Sequence, residues 1–138
     1  MKQKIGVGLI GWGTVGTGVA KILLGRRALI TRRVGVPIEL VRVADLDTTR
    51  DRGIALPPGV LINDAKALID DPAVDIVIEL IGGYDAAKKF ILEALAQGKP
   101  VVTANMRCWP YMVRKFSRRW SATRPSWASR PAWAAASP

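Results

Sequence analysis

The stretch Leu9–Leu24, LIGWGTVGTGVAKILL, decides the fold. It begins inside a short run of apolar, branched residues, Lys4 to Ile10, that reads as a buried parallel strand. From Gly13 the period changes. Val15, Val19, Ile22 and Leu23 recur at spacings of three and four, as on one face of a helix. Between strand and helix lies Gly11-Trp12-Gly13-Thr14-Val15-Gly16, which fits G-x-G-x-x-G in the setting that gives the pattern meaning. The first glycine permits a tight turn, the second lets a diphosphate approach the backbone, and the third lets helix and strand pack closely. Unpaired N–H groups and the dipole at the helix start favour a dianionic ligand there. Glycines acting only as turn punctuation are the competing reading, and the strand-to-helix context weighs against it.

Working outward, the same alternation repeats. GRRALITRRVGVP reads as a basic connector, with Pro37 fixing the entry to a second strand, Ile38 to Ala44. Asp45 ends that strand, where an acid in this class of fold meets the adenosine ribose hydroxyls. A solvated loop aspartate is the other reading. Arg50 and Arg52 come soon after and suit a ribose 2′-phosphate, so NAD and NADP both stay open as cofactors. Gly53 to Ile62 is a loop around Pro57-Pro58-Gly59 with room for a short strand. Asp64 is placed to cap a helix over AKALI, and Asp71-Pro72 ends it. Asp75 to Ile81, DIVIELI, is another core strand, ending at Gly82-Gly83. Those glycines fit either a plain turn or a close backbone approach to the nicotinamide side. Glu79 within this strand needs a partner or the strand edge if it is buried. Asp85 is placed to cap the next helix, whose Phe90, Ile91, Leu92 and Leu95 share one side, and Gly98 ends it as a C-cap. Lys99 to Thr103 is the last readable strand. Apolar strands alternating with helices predict an α/β, Rossmann-type doubly wound parallel sheet covered on both faces.

Composition bounds what this sheet serves. The 138 residues fit one domain. No apolar run is long enough for a membrane span, the start does not read as a signal peptide, and a cytoplasmic setting is expected. A single cysteine and no histidine leave almost no ligands for zinc. The net charge of +10 is unevenly spread: residues 1–105 hold all 11 acids and 14 of the 21 basic residues, while residues 106–138 hold seven basic residues and no acid. Four of the five tryptophans also fall after Asn105. Two compositions meet there.

With these pieces in place, residues 4–105 resemble the N-terminal part of homoserine dehydrogenase. The resemblance is carried by GLIGWGTVGTGVAKIL, VRVADLD and DIVIELIGGYDAAKKFILEALAQGKPVVTAN, in that order. It implies NAD- or NADP-dependent interconversion of L-homoserine and L-aspartate 4-semialdehyde, on the route to threonine and methionine. It also implies that Gly11, Gly13, Thr14, Val15 and Gly16 cradle the pyrophosphate, that Ala44 and Asp45 border the adenosine, and that Gly82, Thr103 and Asn105 border the nicotinamide. No catalytic residue and no metal ligand is assigned.

The pattern departs from the family after Asn105. Where the family reads T-A-N-K, this chain has Met106, then RCWPYMVRKFSRRW. With a CGN codon for Arg107, the codons for MRCWPYMV read from the third base of the Met106 codon give GCG NTG YTG GCC NTA YAT GGT. That encodes Ala, then Leu, Val or Met, then Leu, Ala, an aliphatic residue, His or Tyr, and Gly, which is similar to the family's sequence after T-A-N-K. Residues 106–138 therefore read as an out-of-frame, unstructured tail attached to a nucleotide-binding domain at 1–105. A basic, tryptophan-interleaved segment for nucleic acid or a membrane surface is the alternative; neither partner is expected. The family's substrate and dimerisation domain has no counterpart in the sequence, so binding without turnover and without an oligomerisation segment is expected.

Overall fold

The computed structural model describes residues 2–105; the readings made for residues 106–138 lie outside the described residues. Within that range the chain forms β1 (Ile5–Ile10), α1 (Thr14–Gly25), α2 (Arg27–Val34), β2 (Ile38–Ala44), β3 (Leu61–Ile62), α3 (Ala65–Asp70), β4 (Ile76–Glu79), α4 (Asp85–Ala96) and β5 (Val101–Thr103). All pairings are parallel, and the strand order is β3-β2-β1-β4-β5. The first strand thus sits in the middle of the sheet, and the chain winds outward from it in both directions.

Successive strand residues point to opposite faces, and each face has its own core. Ile10, Ala44 and Val77 join Leu68 and Ile69 of α3 and Ala94 of α4 on one side. Leu9 and Val43 join Trp12, Ala20 of α1 and Val60 on the other. Gly8 fits the first of these packings, because a β-carbon there would lie 2.5 Å from Leu68 Cδ2. A solvated sheet face would have carried polar residues at alternate positions; here both parities are apolar.

Asp64 caps α3 as its sequence position predicts, accepting from the N–H groups of Lys66 and Ala67. Four local expectations are corrected. The basic connector contains α2, a helix with no buried residue, so no apolar period marks it. Its end is set by Gly35 in the left-handed region at φ 86°, with Arg32 and Arg33 in the last turn where cations favour the helix dipole. The buried face of α1 is Gly16, Thr17 and Ala20, while Val15 and Ile22 are more than half exposed. Small side chains let this helix lie close to the sheet, which leaves Val15 and Ile22 of its apolar stripe outward and Val19 and Leu23 half-buried. Tyr84, not Asp85, is the N-cap of α4, and Asp85 sits in the first helical turn. At the other end Gln97 is the cap, and Gly98 comes next at φ 76°.

Candidate dinucleotide site

The strand register lines up one row of residues across the carboxyl edge of the sheet. Ile62 pairs with Ala44, Ala44 with Ile10, Ile10 with Glu79, and Glu79 with Thr103. Backbone bonds continue one step past the row: Gly11 N–H donates to Ala44 O at 2.8 Å, Asp45 N–H to Ile62 O at 3.1 Å, and Leu80 N–H to Ile10 O at 2.8 Å. The loops leaving β1, β2, β4 and β5 therefore start side by side, where ligands of open parallel sheets bind.

The glycine loop is built by tight backbone contacts. Gly11 has φ 106°, and a β-carbon on it would lie 2.9 Å from the Leu80 carbonyl carbon, so only glycine suits the turn. At Gly16 a β-carbon would lie 1.9 Å from Gly11 O, so helix and loop touch backbone to backbone. Gly13 differs from both: a β-carbon there would meet nothing within 4 Å. It is the N-cap of α1, no side chain caps that helix, and its first turn holds no acid. Thr14 and Val15 are exposed on that turn. Free space over Gly13 and uncapped N–H groups at a helix start are what a diphosphate requires.

Asp45 is half-buried and joined to this loop. Its Oδ2 accepts from Trp12 N–H at 2.5 Å, and its Oδ1 accepts from Asp47 N–H at 2.9 Å. It is thus not the freely solvated loop aspartate of the competing reading. Ala44 beside it is buried, with its carbonyl committed to Gly11. Asp47 organises the next turn, where the Thr49 hydroxyl, then the N–H groups of Thr49 and Arg50, hold its carboxyl below the ordinary aspartate value. An open cleft of about 340 Å³ flanks this side, lined by Trp12, Thr48, Arg50, Arg52, Pro57 and Leu61 among others. Trp12 carries no assignment from the glycine motif, where it is one of the variable positions, yet its buried indole joins the loop to the core beneath α1.

At the opposite end, Gly82 is exposed with open space around its α-carbon, and Gly83 adopts φ 96°. Asn105 Nδ2 donates to Gly83 O at 2.7 Å, tying the end of β5 to this loop. Asn105 N–H donates to Thr103 Oγ1 at 2.9 Å. Glu79, completely buried, accepts from Ile81 N–H at 2.7 Å and from the Thr103 hydroxyl at 2.6 Å. The partner that its burial demanded is present, on a strand 24 residues away. Gly82, Thr103 and Asn105 are thus gathered at one end of the edge and Asp45 at the other, with residues 11–16 between them.

A 3-2-1-4-5 parallel sheet with this loop at its carboxyl edge defines a Rossmann-type dinucleotide-binding domain. Its sequence from residue 11 to 109 matches the family described as homoserine dehydrogenase, NAD binding domain. A homoserine dehydrogenase of Methylobacillus glycogenes is 45% identical over 114 residues, 83% of this chain and 28% of that protein. That of Bacillus subtilis is 44% identical over 103 residues, 75% of this chain and 24% of its own length. Among solved structures, a homoserine dehydrogenase from Thiobacillus denitrificans superposes with a TM-score of 0.74 at 38% identity, covering 86% of this chain and 27% of that one. The chain belongs to the homoserine dehydrogenase family, within its NAD-binding domain, and NAD or NADP is the cofactor of that domain. It spans about a quarter of the length of the curated relatives it matches. Among the described residues no helix is long and apolar enough to cross a membrane.

Proposed function

We propose that this chain supplies the cofactor-binding half of a homoserine dehydrogenase site, holding NAD or NADP for the interconversion of L-homoserine and L-aspartate 4-semialdehyde. The observation that carries this reading is the open space over Gly13 at the uncapped start of α1. Gly11 and Gly16 keep the loop in shape, and the N–H groups from Gly13 through Gly16, with Thr14 and Val15 on the exposed turn, receive the diphosphate. Ala44 and Asp45 border the adenosine, and Gly82, Thr103 and Asn105 border the nicotinamide. The bound cofactor supplies the hydride-carrying ring; the protein's part is to fix its position. A cytoplasmic biosynthetic setting suits this role.

The roles assigned to the described site residues are all cofactor-binding ones, which favours a second reading alongside the first: dinucleotide binding by this chain without turnover. Met106, where the family has lysine, lacks the hydrogen-bond donor that would polarise an aldehyde. Assays of dinucleotide binding and of homoserine oxidation separate the two readings. Saturable binding with no oxidation is expected from the 138-residue chain. Oxidation at the rate of a full-length family member contradicts the second reading, and absence of binding contradicts both.

A further inference from the structure

The geometry points to Glu79 as a positioning residue for the nicotinamide: by accepting the Thr103 O–H, it leaves Thr103 Oγ1 an acceptor for a carboxamide N–H. This inference rests on the proposed function, in which the dinucleotide runs from Asp45 across residues 11–16 to Thr103.

Glu79 sits in an improbable place for an acid. It is fully buried at the carboxyl end of β4, a position where an apolar residue would satisfy the core. Both of its oxygens accept from neutral groups, Ile81 N–H and the Thr103 hydroxyl. The consequence falls on Thr103. A hydroxyl has one proton and two acceptor lone pairs. The proton points to Glu79 at 2.6 Å, and one lone pair takes Asn105 N–H at 2.9 Å. What remains, at the half-buried end of β5 on the ligand edge, is a single acceptor. It matches an N–H and repels a carbonyl. The nicotinamide carboxamide carries both an NH2 group and a carbonyl oxygen, so this arrangement selects which end of the amide faces β5.

The conservative variant reverses the polarity. In Glu79→Gln the side-chain oxygen can still accept Ile81 N–H, which leaves its NH2 against Thr103 as a donor. Both lone pairs of Thr103 are then used, and its proton turns outward. The substitution keeps shape and burial while exchanging an acceptor for a donor at the ligand edge.

The test compares NAD, 3-acetylpyridine adenine dinucleotide, which has the ring carbonyl but no NH2, and ADP-ribose, which has no pyridine ring. Titrations use the 138-residue chain and its variants. The wild type is expected to bind NAD about fivefold more tightly than the acetylpyridine analogue, the usual worth of one neutral hydrogen bond. Glu79→Gln should abolish or invert that preference with ADP-ribose affinity unchanged. Thr103→Val should also abolish it, and it decides the matter if Glu79→Gln does not fold. An unchanged preference in the folded variants overturns the proposal, as does a wild type that does not discriminate. A parallel loss of ADP-ribose affinity overturns it too, because Glu79 would then only hold the fold. Failure of the wild type to bind even ADP-ribose contradicts the underlying dinucleotide reading instead.

Discussion

Alanine at Gly13 and at Gly16, two glycines of the same loop, separates the architecture of that loop from its use. At Gly16 a new β-carbon falls 1.9 Å from Gly11 O and 3.0 Å from the Gly11 carbonyl carbon, both rigid backbone atoms. Helix α1 must withdraw from the loop by roughly 1 Å, and overpacking of this kind costs about 3 kcal/mol. For a domain of this size that is a fall in melting temperature of about 15 °C. At Gly13 the β-carbon meets nothing within 4 Å, and its φ of −81° suits any residue. The loss of a preferred N-cap residue and the gain from a stiffer unfolded chain are each below about 1 kcal/mol and opposite in sign. Gly13→Ala should therefore melt within a few degrees of the wild type, while its methyl group fills the space assigned to the diphosphate. Its affinity for NADH and NADPH should fall at least about tenfold, equivalent to roughly 1.4 kcal/mol. Thermal unfolding without ligand, then titration monitored through nicotinamide fluorescence, measures both effects. Undiminished affinity in Gly13→Ala, or undiminished stability in Gly16→Ala, contradicts this division of roles.

Other perturbations address the edges of the site and the sheet. Asp45→Asn offers one acceptor oxygen where Trp12 N–H and Asp47 N–H now use two, so it should destabilise the domain by about 1 kcal/mol. It should also shift the ratio of NADPH to NADH affinity upward about fivefold, since charges ~4 Å apart in a water-like medium interact by roughly 1 kcal/mol; an unchanged ratio places the ribose elsewhere. Asp75, bonded by Lys2 and by Gly6 N–H, is held below its ordinary value of 3.8. A depressed folded value means that its stabilisation is complete above that ordinary value and is lost as pH falls through the lower, folded one. Denaturant unfolding from pH 6 down to pH 2 should therefore show a steeper acid limb in the wild type than in Asp75→Asn, and parallel curves would contradict the assignment.

The parts of the fold that local chemistry controls were legible in the sequence. Largely apolar runs located β1, β2 and β4, a period of three to four located α1 and α4, and Asp64 marked the start of α3, because each signal lies within a few residues of its effect. Helix α2 escaped because it buries nothing and so leaves no apolar period. The packing face of α1 was misread because a helix that must approach a sheet closely does so through Gly16, Thr17 and Ala20, residues that a hydrophobic stripe does not include. The site was legible as positions more than as connections. Asp45 stood at the right strand end, but its bond to Trp12 spans 33 residues and depends on the parallel register of β1 and β2. Glu79 announced only that a buried acid needs partners; that one of them is the Thr103 hydroxyl comes from the pairing of β4 with β5.

Calorimetric titration of the folded 138-residue chain with NADH and with NADPH tests dinucleotide binding most directly. Saturable uptake of at least one of them, with one site per chain and weakened by Gly13→Ala, is the predicted result. Heat signals indistinguishable from dilution for both cofactors would contradict it.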